Sequence, residues 1–202
     1  MKSFVGEGLI PGFNSGVLWR DENFDILAAD SPGNNDLPTP VIRPGTGIPY
    51  AGFVNGQNIV EAIVHKEYNH EAIIRPKNDK SGLVVPQIRP HGHFAPVSAA
   101  AGNVKLFFEY YIHFGADAIS GTISVATPVN GVAWQEQRVE IGAIEFPEAL
   151  RDKTGIQIGG RFYRDPQDAE DTYADDIVVT DSMGWHYPID SDGSIGIFSK
   201  YE

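Results

Sequence analysis

The clearest alternation along the chain is V-K-L-F-F-E-Y-Y-I-H-F over 104–114, which sets Leu106, Phe108, Tyr110 and Ile112 on one face. A period of two, rich in aromatic and branched residues, predicts a half-buried strand. Shorter apolar segments recur at 59–65, 70–75, 82–88, 89–95, 121–126, 155–164, 177–187 and 194–201, with Gly, Pro, Asn and Asp between them. The segment 134–146 alternates imperfectly. Glu136, Arg138 and Glu140 fall on one side and Gln135, Gln137, Val139 and Ile141 on the other, so it reads as a half-solvated strand. One helical turn is expected within 147–153. Leu106, Phe108, Tyr110, Ile112, Ile158, Phe162, Val178 and Trp185 are the expected core. Many short strands with turn residues at regular intervals, and no long helical period, predict an all-β fold: an antiparallel β-sandwich of jelly-roll type. No repeat of propeller or solenoid length is visible.

The first 58 residues differ in texture. Pro32, Pro38, Pro40, Pro44 and Pro49, with Gly6, Gly8, Gly12, Gly16, Gly33, Gly45 and Gly47, interrupt any continuous sheet there. Short strands are expected only near 16–19 and 50–54. The chain therefore divides into an extended Gly/Pro-rich arm over 1–58, ordered by a partner, and a sandwich domain over 59–202.

Composition narrows the classes of function. Apolar residues make up 42% of the 202, enough for a core and too many for a disordered chain. A net charge of −12 argues against binding nucleic acid through a broad basic surface. No apolar run approaches the length of about 20 residues that a membrane helix needs, and the opening MKSFVGEGLIPGF has no continuous apolar stretch of signal-peptide length. There are no cysteines, so disulfides, zinc–thiolate sites and thiol nucleophiles are excluded. The charge is uneven: 8 basic and 10 acidic residues in 1–101, against 7 and 17 in 102–202. Seven acids and no base lie between Asp165 and Asp181, which reads as a solvated acidic loop.

Candidate chemistry is sparse. In Arg89-Pro90-His91-Gly92-His93-Phe94 the two histidines project to one face of a strand, half of a metal site by spacing. Repeated about a threefold axis, His91 and His93 would supply six imidazoles to one structural ion; the alternative is a pair of hydrogen-bonded strand residues. His113 and His186 read as structural. Asp190-Ser191-Asp192-Gly193 resembles the start of a calcium loop, but the twelfth position is Tyr201 rather than Glu, and a tight turn explains the same residues. No nucleophile elbow, P-loop or dinucleotide motif occurs, so no catalytic residue and no cofactor beyond that ion are expected.

Three motifs occur in order: Pro90-His91-Gly92-His93-Phe94; Gly102-Asn103-Val104 opening an aromatic strand; and Arg164-Asp165, Asp168, Asp171-Thr172-Tyr173 and Asp176, followed by the turn from His186 to Ser194. Together they resemble a family of tailed-bacteriophage virion structural proteins, over about residues 60–202. The family commonly has an aliphatic residue where this chain has Gly92. The resemblance implies a virion protein attached to the capsid, neck or tail as a decoration or a fibre-type appendage, located in the particle and not an enzyme. A homotrimer bound to other virion proteins, with no nucleic acid or membrane partner, is the expected working unit. A carbohydrate-binding module of a host-recognition fibre, with Trp19, Trp134 and Trp185 as candidate stacking residues for a host glycan, is one alternative. A cupin-like metal enzyme built on His91 and His93 with Glu109, His113 or His186 is the other.

Overall fold

A computed structural model describes residues 18–26, 35–68, 87–150 and 155–189. The strands are β1 (Leu18–Phe24), β2 (Thr39–Ile42), β3 (Pro49–Phe53), β4 (Val60–Tyr68), β5 (Gln87–Pro96), β6 (Asn103–Phe114), β7 (Asp117–Pro128), β8 (Gln137–Glu140), β9 (Ile144–Glu145), β10 (Ile156–Arg164) and β11 (Ile177–Ile189). A single 3-10 turn at Glu148–Leu150 falls where one helical turn was expected. The segments expected at 70–75 and 194–201, and the Asp190–Gly193 turn, lie outside the described residues. No helix among those described is long and apolar enough to cross a membrane.

The strands form two antiparallel sheets packed as a sandwich. One runs β2-β3-β11-β5-β8, with β1 also on β11 and β9 also on β5; the other runs β4-β10-β6-β7. The pairings nest: β6 lies beside β7, β5 beside β8, β4 beside β10 and β3 beside β11. The interior is filled by aromatic side chains, with Phe53, Phe94, Phe108, Phe162 and Trp185 all fully buried. Phe108 lies 4.5 Å from the Phe162 ring and 5.8 Å from that of Trp185, so the sheets meet through these rings. The Trp185 Nε1–H donates to the Tyr68 hydroxyl at 2.6 Å, which satisfies the one polar atom the indole brings inside. Of the expected core residues only Tyr110 is partly exposed. Val178 is buried on the opposite face of its sheet, in register with Gly52 and Ala95.

Two expectations are corrected. The boundary at residue 58 is not a boundary of the fold. β1 runs along β11 from Leu18↔Ile189 to Phe24↔Met183, and β3 follows on the same edge from Ala51↔Val179 to Phe53↔Ile177. Much of the described part of the supposed arm is therefore sheet, and its prolines are tolerated because Pro40 lies in the edge strand β2, Pro49 opens β3, and Pro38 and Pro44 fall outside strands. The expected strand over 134–146 is two strands, β8 and β9, both on β5. The break faces Pro90, whose carbonyl accepts from the Ile141 N–H at 2.8 Å. A strand residue's N–H and C=O point the same way, so the donor that proline lacks is missing on this edge, and the ladder parts there.

Candidate functional site

Phase along β5 decides what its histidines do. Ile88, Phe94 and Gly92 face the core, so Arg89, His91 and His93 face outward from the larger sheet, as their spacing predicts. In β11, Met183, Trp185 and Tyr187 point inward, which turns His186 to the same outer face. In β1, Asp21 stands directly opposite His186, while His91 stands opposite Gly184, two residues away along β11. Direct and diagonal neighbours of this kind are within side-chain reach. Gly184 matters here because a Cβ at that position would run into the Glu22 carbonyl of β1. The close approach of β1 depends on its absence.

The result is a tight outer-face cluster. The rings of His91 and His186 are stacked, with centroids 4.2 Å apart and planes 9° apart. His91 Nε2 lies 3.5 Å from Asp21 Oδ1, and His186 Nε2 lies 3.8 Å from Asp21 Oδ2. His91 is only 4% exposed, yet neither of its ring nitrogens reaches good hydrogen-bond geometry among the described residues, the Arg89 backbone giving only a weak contact. Burial, and then the neighbouring His186, push its pKa down from 6.5 to about 4 against the opposing pull of Asp21, so it is neutral at pH 7. His93 takes a different neighbourhood, its Nδ1 3.4 Å from Asp181 and 3.7 Å from Glu136. Arg89 lies 3.4 Å from Glu140 and 5.7 Å above the Trp19 ring.

The geometry changes the expected pairing. Within one chain His91 is covered, and its nearest titratable neighbours are His186 and Asp21, with the His93 ring 5.4 Å away. The sequence marks His186 as structural or as one option of the cupin-like site, and gives no signal for Asp21. No local motif joins residues 21, 91 and 186; only the strand order does. Of the residues that the cupin-like alternative adds, only His186 reaches His91. Glu109 and His113 stand on β6, in the other sheet, where Glu109 pairs with Arg161 at 2.8 Å. Trp185 is fully buried in the core and Trp134 lies 6.2 Å from Tyr50.

The acidic segment is only partly solvated: Glu170 and Asp181 are exposed, but most of its carboxylates are committed to partners. Asp171 receives two hydrogen bonds of 2.8 Å from the guanidinium of Arg164, and both side chains are buried. Arg164 spends its other donors on the carbonyls of Tyr173, Asp175 and Phe53. Asp168 and Glu170 hold Lys105, Asp175 accepts from Ser98 and Asp176 from the Asn55 N–H. The Glu170 and Asp168 carboxylates raise the Lys105 pKa, and the Glu170 N–H is the main reason that Asp168 is held low. Thr172 and Tyr173 donate backbone N–H groups to Asn103. The D-T-Y and G-N-V motifs thus sew one loop to the start of β6.

Comparison with known protein families, with curated proteins and with solved structures finds no match.

Proposed function

We propose that the chain is a structural, non-catalytic protein of a tailed-phage particle that associates as a homotrimer on the capsid, neck or tail. The motif resemblance supports the class. The nested strand pairs support a jelly roll, the arrangement obtained when an antiparallel ribbon is rolled up into two sheets. The single observation that carries an assembly role is the β2–β3 hairpin. β2 is the end strand of the larger sheet, and Ile42 and Ile48, at either side of the turn, are 54% and 50% exposed. An exposed edge strand with apolar side chains is a pairing surface that isolated proteins usually blunt with charge or cover. The partner on that edge is a second copy of the chain.

The test is sedimentation velocity at micromolar concentration on the parent and on the double variant Ile42→Lys/Ile48→Lys, with localisation of the chain in the purified particle by electron microscopy. A trimer that the double variant reduces to monomer, with unchanged melting temperature, supports the reading. A monomeric parent that is missing from the particle overturns it.

One observation favours glycan binding as a second reading. β3 and β1 share one edge of β11 with a gap between them, opening a cleft of about 450 Å³ that includes Tyr50, Asn23, Asp25, Thr180, Asp181 and Ser182. An aromatic ring beside carboxylate and amide groups suits a sugar's apolar face and hydroxyls. Glycan-array binding abolished by Tyr50→Ala would select this reading, and no binding by the parent would remove it.

A further inference from the structure

We propose that Asp21, His91 and His186 bind one divalent transition-metal ion of the zinc class within a single chain. Each residue offers one ligand atom, and the three atoms lie within 4.8 Å of one another. A tetrahedral zinc site with bonds of about 2.1 Å has ligand-to-ligand edges of about 3.4 Å. His91 Nε2 lies 3.5 Å from Asp21 Oδ1 and His186 Nε2 lies 3.8 Å from Oδ2, so a rotation of this exposed carboxylate is needed to set one oxygen on both edges. The remaining edge joins the two imidazoles. Their rings are parallel, so both lone pairs meet one ion only if one ring tilts. His186 has the freedom to do so, with 41% of its side chain exposed.

The independent observation is His91. Its ring is buried and aimed into the cluster, and neither nitrogen reaches good hydrogen-bond geometry among the described residues. Leaving a buried polar group unpaired is destabilising, and a metal bond to one nitrogen removes much of that cost. The donor set also selects the ion. Two neutral imidazoles and a carboxylate suit zinc, cobalt or nickel, while calcium and magnesium prefer oxygen throughout. The exposed side of Asp21 and His186 leaves a fourth position to water. The three ligands come from three adjacent strands, so the ion would also tie β1 to β11 and β5.

The experiment uses the full chain without a polyhistidine tag, stripped with chelator and titrated with Zn2+ by calorimetry and with Co2+ by visible absorption. The expected result is one ion per chain and a cobalt spectrum of four-coordinate type. His186→Ala and Asp21→Asn should each weaken Zn2+ binding by about 100-fold or more, leave the metal-free melting temperature unchanged and abolish the cobalt band. His113→Ala, in the other sheet, should bind as the parent does. Because His91→Ala is the variant most prone to misfold, the two exposed ligands carry the test. Unaltered affinity in both of those variants, negligible binding by the parent, or equally tight binding of Ca2+ overturns the site. One ion per three chains would place the ion on a symmetry axis and overturn it equally.

Discussion

Removing the Asp171 carboxylate should unfold this protein more readily than removing any other acid of the 165–181 segment. In Asp171→Ala the Arg164 guanidinium loses two hydrogen bonds of 2.8 Å, and the Lys105 N–H loses one of 3.1 Å. Arg164 is 0% exposed, so water cannot replace them. Its remaining acceptors are the carbonyls of Tyr173, Asp175 and Phe53. Two of its five N–H donors are then orphaned and its charge is uncompensated. Two lost charge-assisted bonds at about 1.5–3 kcal/mol each agree with the cost of about 3–5 kcal/mol for breaking a buried ion pair from one side. With a urea m-value of about 2–3 kcal/mol/M, the midpoint should fall by about 1–2.5 M. Urea melts followed by tryptophan emission report it, because the buried Trp185 leaves the core on unfolding. Asp168→Ala is the internal reference. Its carboxylate is partly exposed against Lys105, and its loss should cost less than about 1 kcal/mol. The double variant Arg164→Met/Asp171→Leu should recover part of the loss, though the three carbonyls would still lack their donor. If Asp171→Ala melts within 1 kcal/mol of the parent, or level with Asp168→Ala, the buried pair is not what holds this loop.

Phe108→Ala should cost about 3–5 kcal/mol in the same melts, since the ring is fully buried against Phe162 and Trp185; a loss below 0.5 kcal/mol would mean that β6 presents its other face to the core. The metal-free protein should lose stability as pH falls from 6.5 to about 4, because the unfolded His91 takes up a proton in that window and the folded one does not. Above 6.5 the term vanishes, and below about 4 it stops growing. The full separation of pKa values corresponds to about 3 kcal/mol; beside a partly exposed carboxylate, about 1–2 kcal/mol is expected. Melts across this range for the parent and His91→Gln test it, and an equal slope in both would refute the assignment.

Alternation alone locates β6, and Leu106, Phe108 and Ile112 are buried with Tyr110 half-buried on the same face, because a period-two pattern on a half-covered sheet leaves no other face for them. The same parity puts His91 and His93 on one side, whatever their neighbours. The proline of that motif also foretells a missing donor, although not which edge would feel it. Partners across the sheet are different in kind. Asp21, His91 and His186 are separated by 70 and 95 residues, and pairing of β1 with β11 and of β11 with β5 is what brings them within 4.8 Å. A residue's face is a local property, but the strand beside it is set by the whole packing. The prolines and glycines before residue 58 speak against a central strand and leave an edge strand open, so they could not separate an arm from the sheet's margin. The acidic segment is only partly a solvated loop for a related reason. Charge counts say how many carboxylates there are, and only the fold sets Arg164 of β10 under Asp171 and Lys105 of β6 between Asp168 and Glu170. Local chemistry therefore fixes which way each strand side chain points, while long-range pairing, which no short window encodes, decides what it meets.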